Sequence, residues 1–281
     1  MRVLIAGCGY VGSALARRLV AAGDEVFGLR RTPDDLPDGV HPIAADLSER
    51  ATLRPLPEEL DAVVYSAGAD RFDEASYKAT YIDGVRHLLA ALEAQRSLPQ
   101  RVLFTSSTAV YGQQDGEWID EGSPAVPRGF SGRCLLEGER LVWAAGQPGL
   151  VVRLGGIYGP GRTRLIENVR GGTATLREGP YYTNRIHRDD CAGVLEHLLG
   201  LASPQPLYLG VDCEPADEAL VLQWLAERLG VPPPTRARTS DSALLRPSGS
   251  KRAANDRLLA TGYRFLYPTF REGYSVLLGA G

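Results

Sequence analysis

Along the first half of the chain, short apolar runs alternate with segments whose apolar residues return every three or four positions. The runs RVLIAG, DEVFGL, GVHPIAA, DAVVYSAG, RVLFTSS and GLVVRLGG read as buried strands. Residues 12–22, 77–94 and 132–145 carry the helical period. Strands separated by amphipathic helices predict βαβ units and a parallel sheet covered on both faces, an α/β fold of the doubly wound Rossmann type. Farther along, ADEALVLQWLAERLG reads as an amphipathic helix, and AANDRLLATGYRF as another that ends in a glycine cap. Between them, residues 231–252 are rich in proline, serine and arginine and predict a long loop.

The predicted architecture is a dinucleotide-binding domain over residues 1–156, with later segments returning to it, and a small lobe with the C-terminal helices over 157–281. A length of 281 residues accommodates both. Composition changes little: 44% hydrophobic, 23% charged and a formal charge of -3 describe a soluble globular chain. Nothing is basic enough for general nucleic-acid binding, and no apolar run approaches a membrane span. Cys8, Cys134, Cys191 and Cys213 lack metal-ligand spacing and suggest no disulfide framework, so no metal is expected and a reducing cytoplasm is the default.

The most specific chemistry is in Gly7-Cys8-Gly9-Tyr10-Val11-Gly12, placed between the first strand and a helix, the context that G-x-G-x-x-G requires. Gly7 allows the tight turn, Gly9 allows a pyrophosphate to approach the backbone, Gly12 allows close helix–strand packing, and the helix start with Tyr10 and Val11 offers N–H groups to the anion. An acid ending the second strand would hold the ribose 2′-hydroxyl of NAD; here the strand ends in Leu29-Arg30-Arg31. Two arginines suit a 2′-phosphate, which favours NADP over NAD, and solvated loop charges are the plain alternative. Asp46 and Leu47 are placed to receive the adenine, or Asp46 caps a turn. Ser66, Ala67 and Gly68, after the fourth strand, complete the predicted cofactor contacts.

Several segments together give the chain a resemblance to the extended and atypical short-chain dehydrogenase/reductases, the NAD-dependent epimerase/dehydratase group: the glycine loop, SSTAVYG at 106–112, RLGGIYGPGR at 153–162, NRIHRDD at 184–190 and KRAANDRLL at 251–259. The resemblance implies a Rossmann domain with a small substrate lobe and, commonly, a homodimer. It also implies that Ser107, four residues before Tyr111, meets the substrate oxygen; a serine bonded to its own backbone is the alternative. The group's tyrosine and lysine, four residues apart on a helix, fall at Ser131 and Leu135 in GFSGRCLLEGERL. Glu74 and Pro247 precede Lys78 and Lys251, the sole lysines, by four, so the pair is nowhere else. Serine titrates too high to replace the phenol, and leucine cannot lower a neighbour's pKa.

Tyr81, aligned with an asparagine of the group, is the candidate to take over proton transfer, against the plainer role of a half-buried packing residue. Gly155, Gly156 and Ile157 are implied neighbours of the nicotinamide, or simply turn the chain. Asn184 and Arg185 could face a substrate. His187 reads as structural, Asp190 as a helix cap, and Arg162, Arg164, Arg236, Arg238, Arg246 and Arg252 suit a diphosphate or are each solvated. Two functions follow: NADP-dependent redox or epimerase-like chemistry on a polar small molecule, with phosphorylated and nucleotide-linked compounds as candidates, or an NADP-binding sensor or interaction protein without turnover.

Overall fold

A computed structural model describes residues 1–54, 56–95, 98–236 and 249–279. The six predicted strands form β1 (Arg2–Ala6), β2 (Glu25–Arg30), β3 (Val40–Ala44), β4 (Ala62–Tyr65), β5 (Arg101–Ser107) and the strand Gly149–Leu154. With Leu207–Gly210 they make one seven-stranded sheet, ordered Leu207–Gly210, Gly149–Leu154, β5, β4, β1, β2, β3. The pairings of β1 with β2 and β4, β2 with β3, β4 with β5, and β5 with Gly149–Leu154 are parallel. β1 and β4 are apolar almost throughout and almost wholly buried, because helices cover both faces.

Strand order reverses beside β1, whose neighbours are β2 and β4. In open sheets of this kind ligands meet the carboxyl ends of the strands at such a switch point. The first four α-helices along the chain are α1 (Tyr10–Ala21), α2 (Glu74–Lys78), α3 (Gly84–Glu93) and α4 (Phe130–Ala144). Helical periodicity predicted one helix over 77–94, yet Ala79–Asp83 is a π-helical turn joining α2 to α3. π turns are rare single-turn insertions within α-helices, so an apolar helical period is read as one continuous helix.

The chain divides into two compact units. The first comprises Met1–Tyr111, Pro124–Leu154 and Cys191–Tyr208; the second comprises Gly112–Ser123, Gly155–Asp190 and Leu209–Gly281. The path is interleaved, and the expected boundary at residue 156 lies beside only one of its crossings. Residues 112–123 belong to the second unit because Glu117–Ile119 pairs in parallel with Lys251–Ala253.

Within the second unit, Tyr158, Ile166, Val169, Val221, Leu225, Phe270 and Tyr274 form the apolar core. The predicted helix before the long loop spans Glu218–Leu229 and ends on Gly230 in the left-handed conformation; the one after it spans Asp256–Ala260 and is followed by Gly262 at φ +88. Arg238 and Arg246 lie outside the described residues. Among the described residues no helix is long and apolar enough to cross a membrane, and no cluster of three metal-ligating side chains occurs.

Candidate functional site: a dinucleotide loop and the segments around it

The loop after β1 is shaped by its glycines. Gly7 has φ +87, and a Cβ there would stand 2.4 Å from the backbone N and Cα of Ala67. The segment after β4 therefore lies directly on the loop. A Cβ on Gly12 would stand 2.8 Å from the Gly7 carbonyl and 3.0 Å from Ile5, which is why α1 can pack so closely on β1. Gly9 differs: a Cβ there would meet only the Gly7 carbonyl, at 4.0 Å. Its face is open, as close approach of a pyrophosphate would require. α1 starts at Tyr10 with no side-chain cap and no acid in its first turn, which suits an anion.

The loop is also pinned to β2, since the Gly7 and Cys8 N–H groups both donate to the Leu29 carbonyl, at 2.9 and 3.0 Å. Arg30 and Arg31 follow immediately. Each guanidinium holds a carboxylate: Arg30 Nη1 lies 2.7 Å from Asp35, and Arg31 makes a two-pronged pair with Asp70, both contacts at 2.8 Å. Arg31 holds the Asp70 carboxyl below its usual range.

Asp46 spends one carboxylate oxygen locally, accepting from the Ser48 N–H at 2.9 Å and its hydroxyl at 2.7 Å. That is the turn-cap role. The Leu47 carbonyl meets His87 Nδ1 at 3.1 Å. Ser66 donates its N–H to the Ala6 carbonyl at 2.8 Å, and Gly68 is exposed with open space where a Cβ would be.

Ser107 closes β5 and caps the short turn Thr108–Val110, its Oγ accepting the Ala109 N–H at 3.2 Å. The hydroxyl proton of an accepting serine remains able to donate to an incoming oxygen. α4 packs hard against this turn: a Cβ on Gly132 would lie 2.4 Å from the Ala109 carbonyl. One turn apart on α4, Ser131 is half-buried and Leu135 buried.

Beneath α4 is a charge network that the sequence reading did not anticipate. Glu139, on α4 and fully buried, accepts from Arg153 at 2.9 and 2.6 Å and from the Ser106 hydroxyl at 2.5 Å. Arg153 donates onward to the Tyr111 hydroxyl at 2.7 Å. α4, β5 and Gly149–Leu154 are thereby locked in one register. Glutamate in a helix is usually solvated, so the sequence alone gave no reason to bury this one.

Tyr81 lies on the π turn. A Cβ on Gly138 of α4 would meet the Tyr81 carbonyl at 2.5 Å, so the π turn and α4 are in close contact. The ring touches Tyr77 and Phe104, with centroids 5.2 and 6.5 Å away. Burial pushes its phenol up to about 12, against the pull of a hydrogen bond from the Ala69 backbone. A proton exchanger near neutral pH needs the opposite shift. Tyr81 therefore holds the segment after β4, and its burial favours the packing role over the acid–base one.

In the second unit, Asn184 and Arg185, expected to face a substrate, are half-buried and buried respectively, and both hold neighbouring backbone. Asn184 donates to the Lys251 carbonyl at 3.0 Å and accepts from the Ala253 N–H at 2.7 Å, stapling two strands. Arg185 is buried, donates to the Thr183 carbonyl at 3.4 Å and stabilises the charge of buried Asp212. Gly155, Gly156 and Ile157 serve close pairing: Gly156–Tyr158 runs parallel to Arg185–His187, and a Cβ on Gly155 would stand 3.0 Å from the Asn184 carbonyl.

His187 is walled in by Tyr158 and Tyr267, and burial lowers its pKa. Asp190, expected as a helix cap, instead clamps a loop, accepting from the Leu266 and Tyr267 N–H groups at 2.8 and 2.9 Å and from Tyr263 at 3.0 Å. Asp212 was not singled out by the sequence; one of its oxygens has no partner, and burial raises its carboxyl to about 8.

A doubly wound sheet with a glycine loop at its switch point defines the nucleotide-binding α/β class. The NAD dependent epimerase/dehydratase family model matches residues 3–185, and the chain belongs to that family. It is 31% identical to protein YeeZ of Escherichia coli K12, over 95% of this chain and 96% of that one. It is 30% identical to a Streptomyces 3-diazoavenalumate denitrifying reductase, over 97% and 99%. Among solved structures, a Methylobacillus flagellatus protein named for the same family is 38% identical, with TM-score 0.82 over 99% of this chain and 98% of that one.

Proposed function

We propose that the protein binds NADP(H) and performs redox or epimerase-like chemistry on a polar small molecule, with phosphorylated and nucleotide-linked compounds as the first candidates. The observation that carries the cofactor choice is the coupling of the glycine loop to Leu29, which sets Arg30 and Arg31, with no acid ending β2, beside the loop. Guanidinium forks match a 2′-phosphate better than an uncharged ribose 2′-hydroxyl. Gly7, Gly9 and Gly12 with the start of α1 would hold the pyrophosphate, and the cradle at Gly9 fits it. When bound, the nicotinamide supplies or accepts a hydride.

Ser107 would orient the substrate oxygen through its remaining proton. With Ser131 and Leu135 on α4 and the Tyr81 phenol pushed up, the proton would come from water or the substrate itself. Relatives whose names denote redox enzymes support turnover: the 3-diazoavenalumate denitrifying reductase, and a dTDP-6-deoxy-L-talose 4-dehydrogenase (NAD(P)(+)) from Kitasatospora kifunensis, 33% identical over 57% of this chain. Buried Leu135 favours a second reading, an NADP-binding protein without turnover.

The test is titration of the purified protein with NADPH and NADH by fluorescence, followed by NADPH oxidation with a panel of polar carbonyl compounds. Tighter NADPH binding is expected, and equal affinity for the two would overturn the cofactor choice. Oxidation by any panel member supports the enzyme reading. NADPH binding with no oxidation across the panel would favour the second.

A further inference from the structure

The guanidinium fork that the preceding proposal gives to a 2′-phosphate is already occupied. Arg31, the first residue after β2, holds Asp70 through two contacts of 2.8 Å, and Asp70 belongs to the segment that follows β4. In the sheet, β2 and β4 are the two neighbours of β1, and the glycine loop leaves the end of β1. The ion pair therefore joins strand ends on either side of the loop.

The segment that carries Asp70 is itself fixed to the loop. Ser66 donates to the Ala6 carbonyl, Ala67 backbone lies against Gly7, and Ala69 donates to the Tyr81 phenol. Both partners of the pair are more than half exposed, with side-chain values of 59% for Arg31 and 60% for Asp70, so a solute can reach them. A pair of this kind is weak enough to be exchanged.

We propose that Asp70 is a specificity-determining residue: its carboxylate occupies the Arg31 fork until a 2′-phosphate displaces it, so that the pair acts as a latch opened by NADP(H) and left closed by NAD(H). This rests on the reading that Arg31 receives the 2′-phosphate. The chemistry is an exchange of anions on one fork, with no covalent step. A phosphate carrying nearly two charges outcompetes a single carboxylate for the same bidentate geometry, whereas a ribose 2′-hydroxyl offers no charge and cannot. Asp70 thus lowers affinity for the phosphorylated cofactor modestly and gives the unliganded loop a defined closed state.

Equilibrium binding to the intact chain separates the possibilities, using NADP+, NAD+, 2′,5′-ADP and 5′-AMP as probes, with wild type, Asp70→Asn and Arg31→Gln. Asp70→Asn is expected to tighten NADP+ and 2′,5′-ADP by about 1.4- to 5-fold, the range set by an exposed ion pair, and to leave NAD+ and 5′-AMP unchanged. Arg31→Gln is expected to weaken the two phosphorylated probes by about tenfold or more and to abolish the effect of Asp70→Asn in the double variant. If Arg31→Gln removes the preference for phosphorylated probes but Asp70→Asn leaves all four affinities unchanged, or weakens them, the latch is overturned and the cofactor reading stands. If wild type does not prefer the phosphorylated probes and Arg31→Gln changes nothing, the cofactor reading and the latch fall together.

Discussion

Replacing Glu139 with glutamine preserves the side chain's shape and removes its charge, which makes it a direct probe of the network under α4. The wild-type carboxylate is fully buried and takes three hydrogen bonds, two of them from Arg153, itself 3% exposed. Glutamine leaves that guanidinium buried without a counter-charge, a situation that costs about 3–5 kcal/mol. For a unit of this size each kcal/mol moves the melting temperature by about 2–4 °C, so a fall of about 6–20 °C is expected. Glu139→Gln, Arg153→Met and the double variant, followed by thermal and urea unfolding, make a double-mutant cycle. The double variant should be less destabilised than the sum of the singles, with a coupling of about 1–3 kcal/mol, because methionine removes the stranded charge. A fall below about 2 °C for Glu139→Gln, or singles that add within about 0.5 kcal/mol, would refute the reasoning.

Gly7→Ala and Gly9→Ala should behave differently. The first combines φ +87 with contact against Ala67 backbone and should cost at least about 1–3 kcal/mol of stability together with NADPH binding, while the second, facing open space, should keep the wild-type melting temperature and weaken NADPH in titration by tenfold or more. Tyr81→Phe removes the acceptor for the Ala69 N–H and should weaken NADPH by about 3- to 10-fold; if a turnover assay is found, its pH profile should not shift, and loss of a pKa from that profile would restore Tyr81 as a proton exchanger. Stability should also depend on Asp212. Its carboxyl is raised from 3.8 to about 8 by burial, with Arg185 and the Glu214 N–H opposing the shift and the Glu214 and Asp190 charges adding to it, so the native state holds the proton more tightly than the unfolded chain. The contribution is full below about pH 4 and is lost as pH rises through about 8; unfolding followed from pH 5 to 9 should show a slope that Asp212→Asn flattens, and an unchanged slope in that variant would contradict the assignment.

The sheet was legible because burial on both faces leaves unbroken apolar runs such as RVLIAG, and the glycine loop because its three glycines answer to separate steric demands. The helix α4 was legible too, from the apolar period over 132–145. What stayed hidden is what depends on partners distant in sequence. Arg31 reads as a phosphate ligand until Asp70, 39 positions away, is seen on its fork. Glu139 serves to mark the helix register, with nothing in its neighbours to announce Arg153 and Ser106 beneath it. Asn184 and Arg185 show the limit from the other side: polar residues in a segment resembling a substrate lobe suggest a ligand, whereas both are used to join strands and balance Asp212.

Ser131 and Leu135, where the resemblance implies a tyrosine and a lysine, are easier to understand beside this network. α4 is held from below by Glu139 and by close backbone contacts at Gly132 and Gly138, none of which involves those two positions. These contacts hold the helix without help from Ser131, whereas Leu135 is itself buried and adds to the packing of the helix. By contrast Ser107 sits where β5, the Thr108–Val110 turn and α4 converge, and its hydroxyl also caps that turn. That capping role accounts for the serine without a catalytic one. The decisive measurement is thus on the cofactor side, where Gly9 leaves open a face that packing does not require.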